Sequence, residues 1–587
     1  MDIIRLRGIG VSPGIGMGEV VLSERVGFAW RKETIAAHQV DEEIRRMNRA
    51  VSKTKDELVR IKNEIKEKMG EEHAFIFDAH LLILRDKSLL ASLEKIIKEE
   101  KVKAEWALSQ INNKYQRVFN SISDEYFKQR KSDISDVLGK ISRQLEMKKE
   151  IQSEGAAEKI LVAHELLPSE AASRFSQGKV LAVALDMGGQ TSHTAILARS
   201  LNIPAVVGLH DITRNVKRGD YLIVDGTNGE VIVNPPLAVR KEFSGKREKY
   251  NKYRKELQKT AKLSSTTLDG EKFFPLANIE LPEEVHLALS FGAEGIGLFR
   301  SEFLYLQSPT LPSEDDHFSV YSRIAKEAFP APVYIRTIDI GGEKTLPQLE
   351  IEKEPNPALG LRAIRFSLKH KDMFKIQLRA ILRASTQGNV RVLIPMVTEI
   401  EEVRIVKFLF QEVKEELRSR RVKFDEKIQL GIMIEVPAAA GLTDLLVEEV
   451  DYLSIGTNDL IQYYLAVDRS NEYVSYMYKP LHPSVLRLIR FIIRTAVKAG
   501  KDVTVCGEMA ADPLAAIFLL GFGLRKFSMN PIFIPRIKKA LRSVEIRPVE
   551  KVVQESLKFK TAQEIEEYVI EKILVKYPGV FLMGQPS

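Results

Sequence analysis

The stretch Phe273–Glu508 carries eight short apolar or β-branched runs: FFPLANI (273–279), GIGLFR (295–300), VYIRTID (333–339), LRAIRF (361–366), VLIPM (392–396), GIMIEV (431–436), YLSIGTN (452–458) and VTVCGE (503–508). Helical stretches separate them. Eight strands alternating with helices over about 240 residues fit a closed (β/α)₈ barrel, whose chemistry gathers at the carboxyl ends of the strands. Polar groups interrupt or follow the runs there: Arg300, Arg336, Glu435, Asp459 and, in what reads as the eighth strand, Cys506.

Glu435 and Asp459 follow neighbouring runs, and two carboxylates converging on one mouth suit Mg²⁺, which keeps waters and takes further ligands from substrate oxygens. Each could instead simply pair with an arginine. Arg300, Arg336 and Arg469 supply forked, permanently charged donors that match phosphate or carboxylate oxygens, although any one alone reads equally as a surface ion-pair partner. Metal plus arginines implies a small polyanion carrying phosphate. Cys506 is either a small buried hydrophobe or a thiol facing the substrate. With an ordinary pKa of ~8.5 such a thiol stays mostly protonated at neutral pH and can deliver a proton to a carbanion-like carbon.

Upstream, DMGGQTSHTAILARS (186–200) places a glycine pair and a hydroxyl pair before His193 and an apolar helix. Gly188 and Gly189 can take backbone angles closed to other residues, and Thr191 or Ser192 can cap the helix whose core face is Ala195, Ile196 and Leu197. In the first turn, free backbone N–H groups disfavour a positive imidazole, which leaves His193 neutral with a ring nitrogen able to attack phosphorus. A capped surface helix with an idle histidine is the alternative. Around it, ILVAHEL, VLAVAL, AVVGL and YLIVDG alternate with turns as a compact α/β module ending near Pro236. A small module bearing one reactive group is what a swinging carrier needs.

The glycine-rich GIGVSPGIGMGEVV (8–21) lacks the helix and acidic partner of a dinucleotide loop and reads as turns between short strands. From Gln39 long helices take over. Ile44, Met47, Val51, Thr54, Leu58, Ile61 and Ile65 keep a three-and-four spacing, the start of a small antiparallel bundle running to about Lys149, with breaks near Gly70, Asp86 and Ser132. The bundle is a structural appendage or a docking platform for a protein. Between Arg240 and Lys262, ten Lys or Arg face three Glu, the composition of a solvated connecting helix.

At 587 residues the chain is multidomain, and 44% hydrophobic with 29% charged residues is ordinary for a globular protein. The net charge of +8 is spread with both signs interleaved, so no nucleic-acid partner is expected. One cysteine excludes an internal disulfide, the start MDIIRLRG has no signal-like apolar core, and no run approaches membrane-spanning length. A cytoplasmic protein without membrane insertion is the expectation.

Several longer segments, in order, resemble Enzyme I of the bacterial phosphoenolpyruvate:sugar phosphotransferase system. They are GGQTSHTAILARSLNIPAVVG, EGIGLFRSEFLY, RTIDIGGEK, NPALGLRAIR, IEVPAAA, SIGTNDLIQYYLAVDRSN, HPSVL, CGEMA and FIPRIKK. The resemblance covers essentially the whole chain. It implies a multidomain α/β architecture: a swivelling phosphohistidine domain (1–22 and 150–236), an inserted helical bundle that binds the carrier HPr (23–149), a linker helix (237–265) and a (β/α)₈ barrel for phosphoenolpyruvate binding and homodimerisation (266–587). It further implies that His193 is phosphorylated, that Glu435 and Asp459 hold Mg²⁺, that Arg300, Arg336, Asn458, Asp459 and Arg469 contact phosphoenolpyruvate, and that Cys506 protonates the leaving enolate.

Two departures stand out. Leu167 precedes Pro168 and Ser169 where the family commonly carries a threonine able to orient the histidine, and HLLILRDKSLL (80–90) is less acidic than a surface receiving a basic carrier should be. A pyruvate phosphate dikinase or phosphoenolpyruvate synthase relative would need a nucleotide-binding domain, for which no stretch is left. A nitrogen-branch regulatory phosphorelay homologue would carry a sensor domain ahead of the first strand, whereas the segment read as that strand begins at Met1.

Overall fold

The computed structural model describes residues 4–23, 32–69, 76–85, 87–120, 125–145, 159–166, 170–171, 174–175, 180–189, 193–201, 203–307, 311–341, 354–469, 471 and 473–577. The chain divides into two compact units, the boundary falling between Tyr253 and Arg254 within one continuous helix, Leu237–Ala261.

In the first unit, strands β1 (Ile4–Arg7), β2 (Ile9–Ser12), β3 (Ile15–Leu22), β4 (Lys159–Ala163), β5 (Val180–Leu185), β6 (Ala205–Val207), β7 (Tyr221–Asp225) and β8 (Glu230–Val233) form one sheet. Its order is β1-β8-β7-β3-β4-β5-β6-β2. The glycine-rich N-terminal stretch therefore supplies a central strand: β3 pairs antiparallel with β7 and parallel with β4. Gly16 is required there, since a Cβ would sit 2.3 Å from that of Ala182.

The central strands read as continuous apolar runs because both faces are covered. Leu161, Val183, Leu185 and Val207 pack to one side with the bundle and with Ala195, Leu197 and Ala198 of the helix His193–Ser200. Ile160, Val162, Ala182 and Ala184 pack to the other with Leu209 and Ile212. Between β3 and β4, among the described residues, run the α-helices Val40–Met69, Ile76–Arg85, Lys87–Glu100, Ala104–Asn120 and Glu125–Leu145. Met47, Thr54, Leu58 and Ile61 of the expected seam are buried, with the Thr54 hydroxyl donating to Ala50 O at 2.9 Å.

The expected breaks near Gly70 and Asp86 lie outside the described residues, as do the capping residues Thr191 and Ser192 and the segment Leu167–Ser169. The break expected near Ser132 is absent. Ser132 lies inside Glu125–Leu145, because Val137, Leu138, Ile141 and Leu145 continue one buried stripe and a single serine costs a helix little. In HLLILRDKSLL, His80, Leu81, Leu84 and Leu89 are buried, so that stretch is poor in acid because it builds the core.

The second unit is a closed parallel barrel of β9 (Phe274–Ile279), β10 (Ile296–Arg300), β11 (Val333–Arg336), β12 (Val390–Ile394), β13 (Gln429–Ile434), β14 (Tyr452–Ile455), β15 (Asp502–Val505) and β16 (Lys526–Met529). Seven of the eight runs identified in the sequence are strands. LRAIRF is not: Ala363 takes a left-handed φ of 51° and Ile364–Lys369 is a short helix, so Ile364, Phe366 and Ser367 are buried at helical spacing. The eighth strand is KFSM (526–529), with only Phe527 and Met529 apolar, too short to register as a run. It follows the helix Pro513–Phe522, capped by Asp512 through Ala515 N at 2.8 Å and ended by Gly523 at φ 107°. Cys506 consequently follows the seventh strand.

The connecting helix Leu237–Ala261 is secured at its start, where Phe243 packs on Met17, Ile223 and Ile232 and Arg240 stacks 3.8 Å over the Tyr221 ring. At its end, Ala261 O accepts from the buried Lys538 Nζ at 3.1 Å. Among the described residues no helix is long and apolar enough to cross a membrane.

Phe527 is fully buried and Phe408 is 65% exposed. Phe527→Ala is expected to cost about 3–5 kcal/mol in the barrel's unfolding transition and Phe408→Ala under about 0.5 kcal/mol, as read by urea denaturation. Equal effects would contradict the placement of the eighth strand.

Candidate active site

A cavity of about 340 Å³ opens at the carboxyl ends of the barrel strands, lined by Arg300, Arg336, Glu435, Asn458, Asp459, Arg469 and Cys506. All seven barrel residues singled out in the sequence thus meet in one pocket. Arg300 and Arg336 end the paired strands β10 and β11 in direct register. Ile434 and Ile455 are partners on β13 and β14, which brings Glu435 beside Gly456; a Cβ on Gly456 would stand 2.7 Å from Glu435 Oε2. The helix Thr457–Leu465 starts there, so Asn458 and Asp459 occupy its first turn, where the helix dipole favours an acid. Gly507 lets the two loops touch, since a Cβ would fall 1.9 Å from Thr457 Oγ1.

The pocket's inner charges are buried. Arg336 donates to Glu302 at 2.6 Å and lies 3.2 Å from Asp339 Oδ2. Burial alone would depress its guanidinium pKa, but the charges of Glu302, Asp339 and Glu435 outweigh that and raise it. Arg362 reaches Asp339 at 3.0 and 3.2 Å, Asp459 at 3.4 Å and the Tyr463 hydroxyl at 3.0 Å. Glu435 accepts from Met396 N at 2.7 Å. Its carboxyl is pushed up to about 8, first by burial and then by the charges of Asp459 and Asp339, against Arg336 and Arg362. Asp459 shares Arg362 with Asp339.

Among the described residues no three His, Cys, Asp or Glu converge closely enough to hold a metal unaided. The donor set still fits a divalent cation completed by substrate or water, because Glu435 and Asp459 bring hard carboxylate oxygens to one pocket.

The outer donors are more exposed. Arg300 pairs with Glu280 at 2.5 Å. Glu508 takes both Arg469, at 3.4 Å, and Asn458 Nδ2, at 3.0 Å, while its own N–H donates to Asn458 Oδ1 at 2.8 Å. Cys506 is buried with its sulfur accepting from the Ser454 hydroxyl at 3.4 Å, and burial pushes the thiol up to about 11. It is protonated at neutral pH.

His193 belongs to the first unit, where it opens the helix His193–Ser200. Seven residues earlier, Asp186 accepts from Thr213 N at 3.2 Å and from the Thr213 hydroxyl at 2.5 Å, and lies 3.0 Å from His164 Nδ1. Gly188 takes φ 122°. Asp339, Arg362 and Glu302 were missed in the sequence. Arg362 sat in a run misread as a strand, and Asp339 stands three residues after Arg336 in a run read for its apolar residues.

Residues 7–130, 155–229 and 254–546 match the families described as PEP-utilising enzyme, N-terminal; PEP-utilising enzyme, mobile domain; and PEP-utilising enzyme, PEP-binding domain. A Geobacillus stearothermophilus protein named phosphoenolpyruvate-protein phosphotransferase is 42% identical over 565 residues, covering 96% of this chain and 97% of its own. The chain belongs to the phosphoenolpyruvate-protein phosphotransferase family. A Haemophilus influenzae phosphotransferase of the same name is 40% identical over 97% of this chain and 99% of its own. The solution structure titled Enzyme I (nEIt) is 39% identical, covers 42% of this chain and 99% of that one, and superposes with a TM-score of 0.36.

The raised thiol sets an expectation for this phosphotransferase family member. At pH 8, iodoacetamide should modify Cys506 about a hundredfold more slowly in the folded chain than in urea, because the thiolate is the reactive form. Similar rates in the two states would show that the thiol is not held protonated.

Proposed function

We propose that the chain moves the phosphoryl group of phosphoenolpyruvate to its own His193 and then to a histidine of the small carrier HPr, releasing pyruvate, as the first step of phosphotransferase-system sugar uptake. The observation that carries this reading is one pocket holding arginines, a carboxylate pair and a protonated thiol. Arg300, Arg336 and Arg469 hold the phosphate and carboxylate of the substrate, and Asn458 adds a neutral donor. Glu435 and Asp459 would hold Mg²⁺, which neutralises charge on the phosphoryl oxygens when bound.

His193, at its helix start, attacks phosphorus in line as the enolate oxygen leaves. Cys506 then gives its proton to the enolate carbon, a task that a simple phosphate-binding protein would not need. His193 must serve the pocket and then the carrier, so the module that bears it swings on its connections. We further assign carrier docking to the helical bundle, homodimerisation to the barrel and a cytoplasmic place of action, each carried by the family resemblance. The same holds for the boundaries 1–22 with 150–236, 23–149, 237–265 and 266–587.

Phosphoenolpyruvate labelled in its phosphate should, with Mg²⁺ and without ATP, label the protein with an acid-labile, base-stable phosphate that passes to HPr on mixing. Chelation should stop labelling and added Mg²⁺ restore it. His193→Ala should accept none; a labelled variant would sink the assignment. Cys506→Ala should still bind phosphoenolpyruvate while turning it over to pyruvate slowly, and an unchanged rate would reduce Cys506 to packing.

A further inference from the structure

Beneath the pocket the barrel interior changes from apolar to polar. Tyr452 and Cys506 pack inside the barrel with Met433 and Tyr334. Successive strand side chains alternate between faces, so Ser454 and Thr504, each two residues from one of these, share the interior layer. Ser454 is 1% exposed, and its hydroxyl donates to Cys506 Sγ at 3.4 Å. The thiol in turn donates to Ile455 O at 3.6 Å. The backbone around the cysteine is held separately: Cys506 N donates to Ile455 O at 3.1 Å, and Asn278 Nδ2 donates to Cys506 O at 2.9 Å while Asn278 Oδ1 accepts from the Ser528 hydroxyl at 2.6 Å. Backbone anchoring alone would suffice for a packing residue. A buried hydroxyl aimed at the sulfur serves the sulfur's chemistry.

We propose that Ser454 is a positioning residue for proton delivery by Cys506, holding the sulfur in place at the pocket floor and stabilising the thiolate that remains after the transfer. The inference rests on the phosphoenolpyruvate reading above. In the step, the electron pair of the enolate C2=C3 bond takes the thiol proton. The C3–H bond forms as the S–H bond breaks, the enolate oxygen becomes the keto oxygen of pyruvate, and sulfur keeps the S–H electron pair. A thiolate left in a buried site without a donor carries a heavy desolvation cost, and a hydrogen bond to a charged acceptor is among the stronger ones. Ser454 supplies that donor from a position that already contacts the neutral thiol. Solvent returns the proton before the next turnover.

The test uses the full chain with Ser454→Ala, Ser454→Thr and Cys506→Ala, read by steady-state pyruvate formation, phosphoenolpyruvate binding by calorimetry and iodoacetamide modification of the single cysteine. Ser454→Ala should keep KM and phosphoenolpyruvate affinity, lower kcat about ten- to a hundredfold and slow alkylation further. Ser454→Thr, which keeps the hydroxyl, should recover most of both rates. A general loss of structure would instead lower affinity in step with kcat. If Ser454→Ala matches the parent in kcat and alkylation while Cys506→Ala has lost turnover, the role of Ser454 is overturned and the phosphotransfer reading stands. If Cys506→Ala also turns over at the parent rate, the proton-donor reading fails and takes this inference with it.

Discussion

Everything at the barrel mouth depends on one electrostatic constraint: Arg336 and Arg362 share a water-poor rim with Glu302, Asp339, Asp459 and Glu435. Removing one partner of such a buried pair typically costs about 3–5 kcal/mol, because the other charge is left without water or counter-ion. The rim is consequently rigid. Its carboxylates nevertheless outweigh its inner cations around Glu435, whose carboxyl is raised first by burial and then by Asp459 and Asp339. That surplus is what the proposed divalent cation would offset.

The outer ring differs in kind. Arg300 and Arg469 rest on Glu280 and Glu508, with side chains 40% or more exposed on the arginines and more on the acids. Exposed ion pairs exchange readily with water and with other anions, so these donors can be given over to an incoming substrate at little cost. On the proposed reading, one buried arginine, Arg336, and two exposed ones, Arg300 and Arg469, face the substrate together. The thiol of Cys506 lines the same pocket and is kept neutral by burial, as the proposed proton donation requires.

Much of this was legible in the residue order because strand ends carry local signals. Apolar runs of four to six residues ending in Arg300, Arg336, Glu435 or Cys506 are visible without a structure, and the (β/α)₈ closure follows from their number. The errors have physical causes. LRAIRF resembles a strand in composition, but its chain turns through a left-handed Ala363 so that Arg362 can reach Asp339 and Asp459. KFSM is a strand because neighbours on both sides, β15 and β9, supply its hydrogen bonds, and four residues hold no period of their own. Ser132 looked like a break, yet the buried stripe of Val137, Leu138 and Ile141 carries the helix through.

By itself the sequence determined the alternating strand-and-helix architecture and the charged, acidic and thiol residues of the pocket, since these rest on apolar runs and the polar groups that follow them, while Asn458 came only through the family resemblance. Tertiary structure alone decided which charges face one another. Asp339 and Arg362 are 23 residues apart, and Ser454 and Cys506 are 52 apart. Such pairs meet only through the barrel's register and closure, which no local pattern encodes. The same closure takes these groups out of water, and removal from water is what holds the Cys506 thiol protonated and raises the Glu435 carboxyl.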